Sequence, residues 1–343
     1  MGASLHALPI DAPGPDGLAL TIDVAHLGSA DAARMVVVSS GVHGVEGVFG
    51  STVQRAVLAE GLAQRAADAG VALLMLHALN PFGFAWGRRV NEDNVDLNRN
   101  FLTAGQSFAG SPDGYAALDA FLNPPTAPSA TDGLTFFPRA ALRIARHGMP
   151  ALKNAVAGGQ YDFPRGLFYG GSGPTQTQDH LRRVLPELCG AAERVLHVDL
   201  HTGLGAWGTY RLFVDHGWGS TGLASLRGWF GPGVEPWEPE QGVSYEIRGG
   251  LGAWCKELLP GIEYDVLAAE FGTLHALRVV RALHLENRGW HMLQRQDPRG
   301  VALRRALVDT FAPPAASWRR QTVPAAVAIV AAAVAALAPA GTT

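Results

Sequence analysis

Short apolar runs of strand length alternate along the chain with longer segments of helical periodicity. The pattern predicts strands at residues 18–25, 34–40, 71–78, 195–200, 210–214, 243–247 and 266–270. It predicts helices at residues 47–69, 274–289 and 298–311. Strands that alternate with helices in this way indicate an α/β fold, with a mixed, mostly parallel central sheet and helices on both faces.

Two stretches depart from this alternation. Residues 102–185 are rich in turn-forming residues, and we expect them to be a large insertion that carries one or two helices. Residues 321–343 form an uncharged, alanine-rich tail after a single domain at 1–320. A docked helix is favoured over a membrane anchor for this tail, because alanine is weakly apolar and Pro324 and Pro339 bracket the run.

The overall composition argues against several classes of partner and location. The 343 residues are 17% charged with a formal net charge of -3, so neither nucleic acid nor an anionic membrane is expected as a partner. Cys189 and Cys255 lie far apart and in no C-x-x-C pair, so no disulfide framework is expected. The N-terminus lacks a basic region followed by an apolar stretch, and we therefore expect a cytoplasmic protein.

Titratable side chains stand where several of the predicted strands end. His43 and Glu46 follow the second predicted strand, His201 follows the fourth, and Glu270 ends the seventh. Ligands of open α/β sheets bind beyond the carboxyl ends of the strands. We therefore expect these four side chains to lie together in one site.

His43, Glu46 and His201 are candidate ligands of a zinc ion. Zinc in a hydrolytic site takes about three ligands from His, Asp and Glu and leaves a position for water. His43 and Glu46 lie one helical turn apart, and the glycines around them allow a sharp bend. The H-x-x-E pair by itself is a common chance combination. Strand alternation places His197, Asp199 and His201 on one face, which makes Asp199 a candidate supporting carboxylate.

A second polar segment carries Arg88, Arg89, Asp96, Asn98 and Arg99. In extended backbone Asp96 and Asn98 share one face, and Asp96 suits the second ring nitrogen of a ligating histidine. Asn98 and Arg99 suit a substrate carboxylate, although a surface ion pair is the alternative for Arg99. Either Arg88 or Arg89 is a candidate for stabilising an oxyanion.

Glu270 follows an apolar run and is expected to be at least partly buried. Burial raises the pKa of a carboxyl group toward the range that is useful for a general base. A structural salt bridge is the alternative for Glu270 alone. Next to a zinc ion, the general base is the favoured interpretation.

In their order along the chain, these motifs resemble the zinc carboxypeptidases, the carboxypeptidase A-like family. The segments DLNRNF, at residues 96–101, and DLHTG, at residues 199–203, are more similar to the branch that contains succinylglutamate desuccinylase and aspartoacylase, and to uncharacterised bacterial relatives. The resemblance covers about residues 34–273. It implies that one zinc ion is bound by His43, Glu46 and His201.

The resemblance also implies the remaining roles in the site. Asp96 would orient His43, and Glu270 would act first as general base and then as general acid. Arg89, or its neighbour Arg88, would stabilise the oxyanion. The substrate's carboxylate would be held by Asn98 and Arg99. Tyr245 lies at about the sequence position of the tyrosine that covers the substrate in carboxypeptidases, but in no motif that matches that family, and an ordinary aromatic residue of a strand is the alternative.

The implied function is zinc-dependent cleavage of an amide bond in a small peptide or an N-acyl amino acid with a free carboxylate, of the carboxypeptidase type. An N-acyl-amino-acid deacylase of the aspartoacylase or desuccinylase type is the alternative. A catalytically silent binding protein with the same fold is a more distant alternative, because the proposed ligands and Glu270 are all present.

Overall fold

The centre of the protein is a mixed sheet. The computed structural model describes residues 2–148, 158–237 and 248–339, and over these residues the sheet has eight strands. The strands are β1 (Ala3–Pro13), β2 (Ala19–Leu27), β3 (Arg34–Ser40), β4 (Val71–His77), β5 (Arg194–Thr202), β6 (Tyr210–Val214), β7 (Val234–Pro236) and β8 (Glu263–Phe271). Their order across the sheet is β1-β2-β4-β3-β5-β8-β6-β7. The four central strands, β4, β3, β5 and β8, are parallel, whereas β2 and β6 join them antiparallel.

Eleven helices in the described ranges surround this sheet. They are α1 (Gly47–Ala59), α2 (Leu62–Asp68), α3 (Pro81–Trp86), α4 (Tyr115–Leu122), α5 (Asp132–His147), α6 (Gln176–Cys189), α7 (Thr221–Phe230), α8 (Leu251–Leu258), α9 (Ala276–Met292), α10 (Pro298–Phe311) and α11 (Ala316–Leu337). Helices α1, α2, α7 and α11 pack on one face of the sheet, and α6 and α8 pack on the other. Helices α4, α5, α9 and α10 form a third apolar cluster beside Val45. The predicted fold class is therefore confirmed.

Most predicted strands coincide with observed ones. Strands β3 and β6 have the predicted bounds, and α10 has the predicted bounds of the last helix. The strand predicted at 243–247 lies outside the described residues. Two strands were not predicted: β1 is an exposed edge strand that contains Pro9, and β7 has only three residues. Proline in a run of residues argues against a central strand, which explains why β1 was missed.

The single helix predicted at 47–69 is wrong, because the chain forms α1 and α2 there. Gly61 has a left-handed backbone conformation, with φ 72°, and the second helix begins directly after it. Val53 and Val57 of α1 and Leu62 of α2 nevertheless belong to the same apolar cluster. Both helices bury their apolar sides against the same face of the sheet, so the apolar periodicity continues across the break.

The alanine-rich C-terminal segment forms α11, which packs on the sheet. Val330 and Ala333 are fully buried in the apolar cluster with Trp318. The indole N–H of Trp318 donates a hydrogen bond of 2.8 Å to the carbonyl of Gly272, just after β8 ends. Among the described residues, α11 is the one helix whose length and composition would allow it to cross a membrane. Its apolar side is used here in the protein's own core.

The segment predicted as an insertion, 102–185, divides between two parts of the fold. Leu181, Val184 and Leu185 of α6 pack in the core on one face of the sheet, so this end of the segment belongs to the layer of helices. Helices α4 and α5 pack instead on α9 and α10. In its described residues, 102–148 and 158–185, the segment therefore adds two helices next to the carboxyl-terminal part of the chain.

A neutral histidine joins these added helices to α9. Nδ1–H of His284 donates a hydrogen bond of 2.6 Å to the carbonyl of Leu122, and Nη1 of Arg288 lies 3.2 Å from Nε2 of the same ring. Arg288 also forms an ion pair of 3.1 Å with Asp132 of α5. Burial, together with the charge of Arg288, lowers the pKa of His284 to about 4. A protonated His284 would face the guanidinium, so the junction requires the neutral ring.

We expect acid to weaken the fold through His284. Its folded-state pKa of about 4 lies below the ordinary value of 6.5, so the unfolded chain takes up the proton first. The contribution to the free energy of unfolding is complete above about pH 6.5 and falls by about 3 kcal/mol as the pH drops toward 4. Urea unfolding midpoints measured between pH 7.5 and 4.5 would show this decline.

The variant His284→Asn cannot titrate, so its unfolding midpoint should depend less on pH, although it should be lower at pH 7.5. His180→Asn, at a partly exposed position on α6, serves as the control and should follow the wild type. An unchanged pH dependence in His284→Asn would contradict this assignment.

Candidate metal centre

His43 and Glu46 stand at the two ends of one 3-10 turn that follows β3. Nδ1 of His43 lies 2.9 Å from Oε1 of Glu46, so both side chains face the same point, as expected from their spacing. Gly41 has the positive φ of 68° that turns the chain after the strand. Gly44 is required for a different reason, because a Cβ at this position would lie 2.1 Å from the carbonyl carbon of Gly83.

The parallel register of the sheet brings His201 to the same place. Strand β5 pairs with β3 up to Ser40, and His201 is paired with Glu270 of β8. Nδ1 of His201 lies 3.2 Å from Oε2 of Glu46, and the backbone N–H of Thr202 donates a hydrogen bond of 3.0 Å to the same oxygen. Ligand atoms from both histidines and from Glu46 therefore lie within 4.8 Å of one another.

Each of these histidines also contacts an aspartate through its other ring nitrogen. Nε2 of His201 lies 2.6 Å from Oδ2 of Asp199, and Nε2 of His43 lies 3.1 Å from Oδ1 of Asp96. A carboxylate that accepts the second ring N–H is the usual support of a metal-binding histidine. Two imidazole nitrogens and one carboxylate that face a common point form a donor set that fits a zinc ion.

Mutual pairing sets the protonation states in this cluster. Burial alone would raise the pKa of Glu46, but the charges and hydrogen bonds of His43 and His201 hold it below its usual range. At Asp96, burial is outweighed by the charges of Arg89 and His43, which hold its pKa well below the usual value. Burial would lower the pKa of His201, but the nearby carboxylates raise it well above its usual value. The carboxylates are therefore ionised and the His201 ring is protonated in the absence of a cation, so that binding of a metal to this ring would release its proton.

The two adjacent arginines point in different directions. Arg89 lies in the site, where its Nε donates a hydrogen bond of 3.0 Å to Oδ2 of Asp96. Arg88 is fully buried, with its Nε donating a hydrogen bond of 2.8 Å to Glu286 and its Cζ lying 4.1 Å from the centre of the Trp290 ring. Of the two, Arg89 lines the cavity described below.

Asp96 and Asn98 would share one face only in extended backbone, and the backbone is extended at Asp96 but not after it. Leu97–Arg99 forms a 3-10 helix, because the Asp96 carboxylate accepts the backbone N–H of Asn98 at 3.1 Å. Asn98 lines the cavity, and its Oδ1 accepts the backbone N–H of Leu251 at 3.0 Å. The side chain of Arg99 is fully buried, and its Nη1 donates a hydrogen bond of 2.7 Å to the carbonyl of Asn98.

Glu270 is the one carboxyl group of the described site without a hydrogen-bond partner on one of its oxygens. The residue is partly exposed, but its Oε2 atom is buried and has no partner. Burial, opposed by the charge of His201 and reinforced by that of Glu46, raises the pKa of Glu270 to about 8. A carboxyl group with this pKa can take up and release a proton near neutral pH.

The hydrogen bond between His201 and Asp199 continues as a chain of hydrogen bonds into the sheet. The residues of this chain were not predicted as site residues from the sequence. The Ser39 hydroxyl donates a hydrogen bond of 2.5 Å to Asp199, Nε2 of His197 lies 2.7 Å from Ser39 Oγ, and the Tyr264 hydroxyl lies 2.9 Å from Nδ1 of His197. Burial lowers the pKa of His197 to about 4, so this ring is neutral. The alternation of His197, Asp199 and His201 along β5 is the feature of the sequence that points to this chain.

The site opens into a cavity of about 650 Å³. His43, Glu46, His201, Arg89 and Glu270 all line it, while most of the other described lining residues are apolar. A volume of this size is typical of small-molecule sites. Tyr245, which we expected to cover the substrate, lies outside the described residues.

Residues 1–325 match the model of the family described as "Protein of unknown function (DUF2817)". The chain belongs to this family. A comparison with curated proteins found no match.

Solved structures similar to the chain include members of both groups that its sequence resembles. The succinylglutamate desuccinylase from Silicibacter sp. TM1040 is 14% identical over 83% of this chain, with a TM-score of 0.42, and the chain spans 64% of that protein. Carboxypeptidase A from Helicoverpa armigera is 11% identical over 90% of this chain and 69% of its own, with a TM-score of 0.44. Murein-tripeptide amidase MpaA from Escherichia coli O157 is 14% identical over 86% of this chain and 94% of the amidase chain, with a TM-score of 0.39.

We expect the purified protein to bind one zinc ion per chain through His43, Glu46 and His201. The variants His43→Ala and His201→Ala each remove one nitrogen donor and should weaken binding by more than the roughly 10- to 100-fold that follows loss of a supporting residue. Asp199→Asn should fall within that smaller range. Zinc content after dialysis and competition with a chelating dye would measure both effects.

His180→Ala is the matched control, because it removes a histidine from α6 outside the site and should leave zinc binding unchanged. Stoichiometric, equally tight zinc binding by His201→Ala would contradict the assigned ligand set.

Proposed function

We propose that the protein is a zinc-dependent hydrolase that cleaves an amide bond in a carboxylate-bearing substrate, of the carboxypeptidase type. One observation supports this most strongly. His43, Glu46 and His201 converge in a cavity that also contains Glu270, whose Oε2 has no hydrogen-bond partner among the described residues. A network that served stability alone would pair such a carboxyl group, because an unpaired buried polar atom costs free energy.

In this proposal His43, Glu46 and His201 hold the zinc ion, and Asp96 and Asp199 keep the two rings in place. When bound, zinc supplies Lewis acidity, which polarises a carbonyl group and lowers the pKa of water from about 15.7 to about 7. The supporting aspartates are buried with the rings they contact. The ligand geometry is therefore set by the protein before any metal enters.

Glu270 carries the proton through the reaction. Its Oε2 accepts a proton from the attacking water and returns it to the nitrogen of the leaving amine. The C–N bond breaks as the water oxygen becomes part of the new carboxylate, so one water molecule is consumed for each amide cleaved. The pKa of about 8 applies to the protein without a cation, and the charge of the metal favours the ionised form with which the reaction begins.

Arg89 is the residue we propose for the negative charge that develops on the carbonyl oxygen. Asp96 holds its Nε, so the guanidinium is fixed at the cavity wall. For the substrate's carboxylate we propose Asn98, which lines the cavity. Arg99 is fully buried and does not line the cavity, so we propose that it acts through Asn98, to whose carbonyl it donates a hydrogen bond. Tyr245 as a residue that covers the substrate stays a prediction.

An N-acyl-amino-acid deacylase would use the same chemistry on a simple acyl group instead of a peptide. The surroundings of Arg89 support this second candidate. The Phe168 ring lies 5.4 Å from Cζ of Arg89, so the wall beside the proposed oxyanion group is apolar. Such a wall accepts an acyl chain as readily as a peptide side chain.

We expect Glu270→Gln to retain zinc and to lose hydrolysis. The substitution keeps the shape of the side chain but removes the group that accepts and returns the proton, and general acid–base catalysis contributes about 10²- to 10⁴-fold. The measurement is kcat/KM alongside zinc content. Glu263→Gln, at the exposed start of the same strand, is the control and should keep both. Normal activity of Glu270→Gln would rule out this mechanism.

A panel of substrates tests the type of hydrolase. We expect cleavage of dipeptides or N-acyl amino acids with a free carboxylate, and a loss of about tenfold or more in kcat/KM when that carboxylate is converted to an amide, because a hydrogen bond to a charged group is lost. Cleavage of dipeptides alone supports the carboxypeptidase, and cleavage of simple N-acyl amino acids alone supports the deacylase. Zinc binding without cleavage of either class would favour a silent binding protein instead.

A further inference from the structure

One side of the cavity is apolar and is built by its own set of elements. Of the described lining residues that come from α4, α5, α9 and α10, none has a polar side chain. Seven of these ten residues and Phe168 form what we call the apolar lobe, defined by Phe121, Leu122, Phe136, Ala140, Phe168, Val279, Leu283 and Phe311. All eight belong to a single buried apolar cluster.

The apolar lobe begins at the proposed reaction site. Phe168 lies against Arg89, with its ring 5.4 Å from the guanidinium carbon. The Phe311 ring lies against Gly203, where an added Cβ would be 2.7 Å from Cε1 of the ring. Val45, in the turn between the two ligands of the HxxE motif, is buried in the same apolar cluster as the lobe. The lobe is therefore continuous with the metal centre and not a separate pocket.

Another part of the cavity wall comes from other elements. Asn98, the group proposed for the substrate's carboxylate, accepts a hydrogen bond from Leu251 at the start of α8. Strands β6 and β8 add Phe213 and Val266 to the same cavity. None of these three elements contributes to the apolar lobe. In the proposed function Asn98 contacts the amino-acid part of the substrate, so the lobe and Arg89 are left to contact the acyl part. This step rests on the proposed function.

We infer that the apolar lobe binds a large apolar group on the carbonyl side of the scissile amide. The group is an aliphatic chain of about six or more carbons or an aromatic ring, since a cavity of this volume encloses most of a drug-sized ligand. A charged acyl group would lose its hydration without finding a partner among the described residues of the lobe, which is unfavourable. The Phe121 and Phe136 rings stack with their centres 5.3 Å apart, so this wall is already packed.

Three sets of substrates test the inference. The first set is N-acetyl-, N-butyryl-, N-hexanoyl- and N-octanoyl-alanine, for which we expect kcat/KM to rise by up to about fourfold per methylene and by at least about a hundredfold in total. The second set compares N-acetyl-Gly-Ala with N-acetyl-Phe-Ala and asks whether a peptide side chain fills the lobe instead. The third set varies the leaving amino acid from alanine to leucine to phenylalanine at constant acetyl group.

A rise in kcat/KM along the first set identifies a fatty-acyl substrate. A rise in kcat/KM in the second set alone identifies a peptide with an apolar penultimate residue. Both outcomes support an apolar group on the acyl side. A rise confined to the third set overturns the inference, as does a flat response in all three sets.

The variant Ala140→Phe should fill the lobe, because Ala140 is only 2% exposed and lines it. We expect the ratio of kcat/KM for octanoyl- over acetyl-alanine to fall at least tenfold. Ala140→Leu is a smaller change that keeps the test valid if the larger one does not fold. Leu142→Ala, on the same helix but 68% exposed, is the control and should keep the wild-type ratio.

Calorimetry separates this inference from the proposed function. Glu270→Gln is titrated with acetyl- and octanoyl-alanine, so that binding is measured without turnover. One possible result is that the wild type cleaves no substrate, that octanoyl-alanine still binds at least tenfold more tightly than acetyl-alanine, and that Ala140→Phe abolishes this difference. This result would support apolar binding in the lobe and contradict the proposed hydrolase. Hydrolysis with no preference along the acyl series, together with equal binding of both ligands, would support the proposed hydrolase and overturn the inference about the apolar lobe.

Discussion

The pairing of buried charges is the constraint on which the rest of this structure depends. His43, Glu46, Asp96, Asp199 and His201 are all nearly inaccessible to solvent, and an isolated charge in such a place would cost several kcal/mol. Each carboxylate among them lies within hydrogen-bond distance of a histidine ring. The cluster is stable only as a whole, so the backbone that carries its members must be held accurately.

Three features of the fold provide that accuracy. The turn after β3 comes close enough to α3 that only glycine fits at position 44. The parallel register of β5 and β8 places Glu270 directly beside His201. Behind Asp199, the Ser39 hydroxyl and the neutral ring of His197 complete a hydrogen-bonded chain that ends at Tyr264. The proposed ligand His201 thus stands on a hydrogen-bonded polar base that crosses three strands.

Chemistry and selectivity come from different parts of the chain in this interpretation. The sheet and its connecting turns carry the proposed zinc ligands, the proposed base and Arg89. Helices α4 and α5, which the 102–185 segment adds, carry apolar side chains and no charged residue of the proposed mechanism. In this division the apolar wall can change without disturbing the paired charges.

Much of the fold and of the proposed site was predictable from local patterns. Apolar runs of strand length located β3 and β6 with their observed bounds, since the buried middle of a strand is apolar. The spacing of His43 and Glu46 predicted that both face one point, because one helical turn brings residues three apart to the same side. Alternation along β5 predicted that Asp199 and His201 share a face.

Contacts between residues that are far apart in sequence were decided by the tertiary structure. Arg88 and Arg89 are adjacent and chemically identical, and only packing shows that Glu286 and Trp290 hold the first while Asp96 holds the second. The chain through Ser39, His197 and Tyr264 joins residues far apart in sequence and depends on strand order. The apolar lobe likewise depends on how distant helices pack. Sequence by itself determined which chemical groups are present and how neighbours are oriented, whereas long-range packing decided which of them meet.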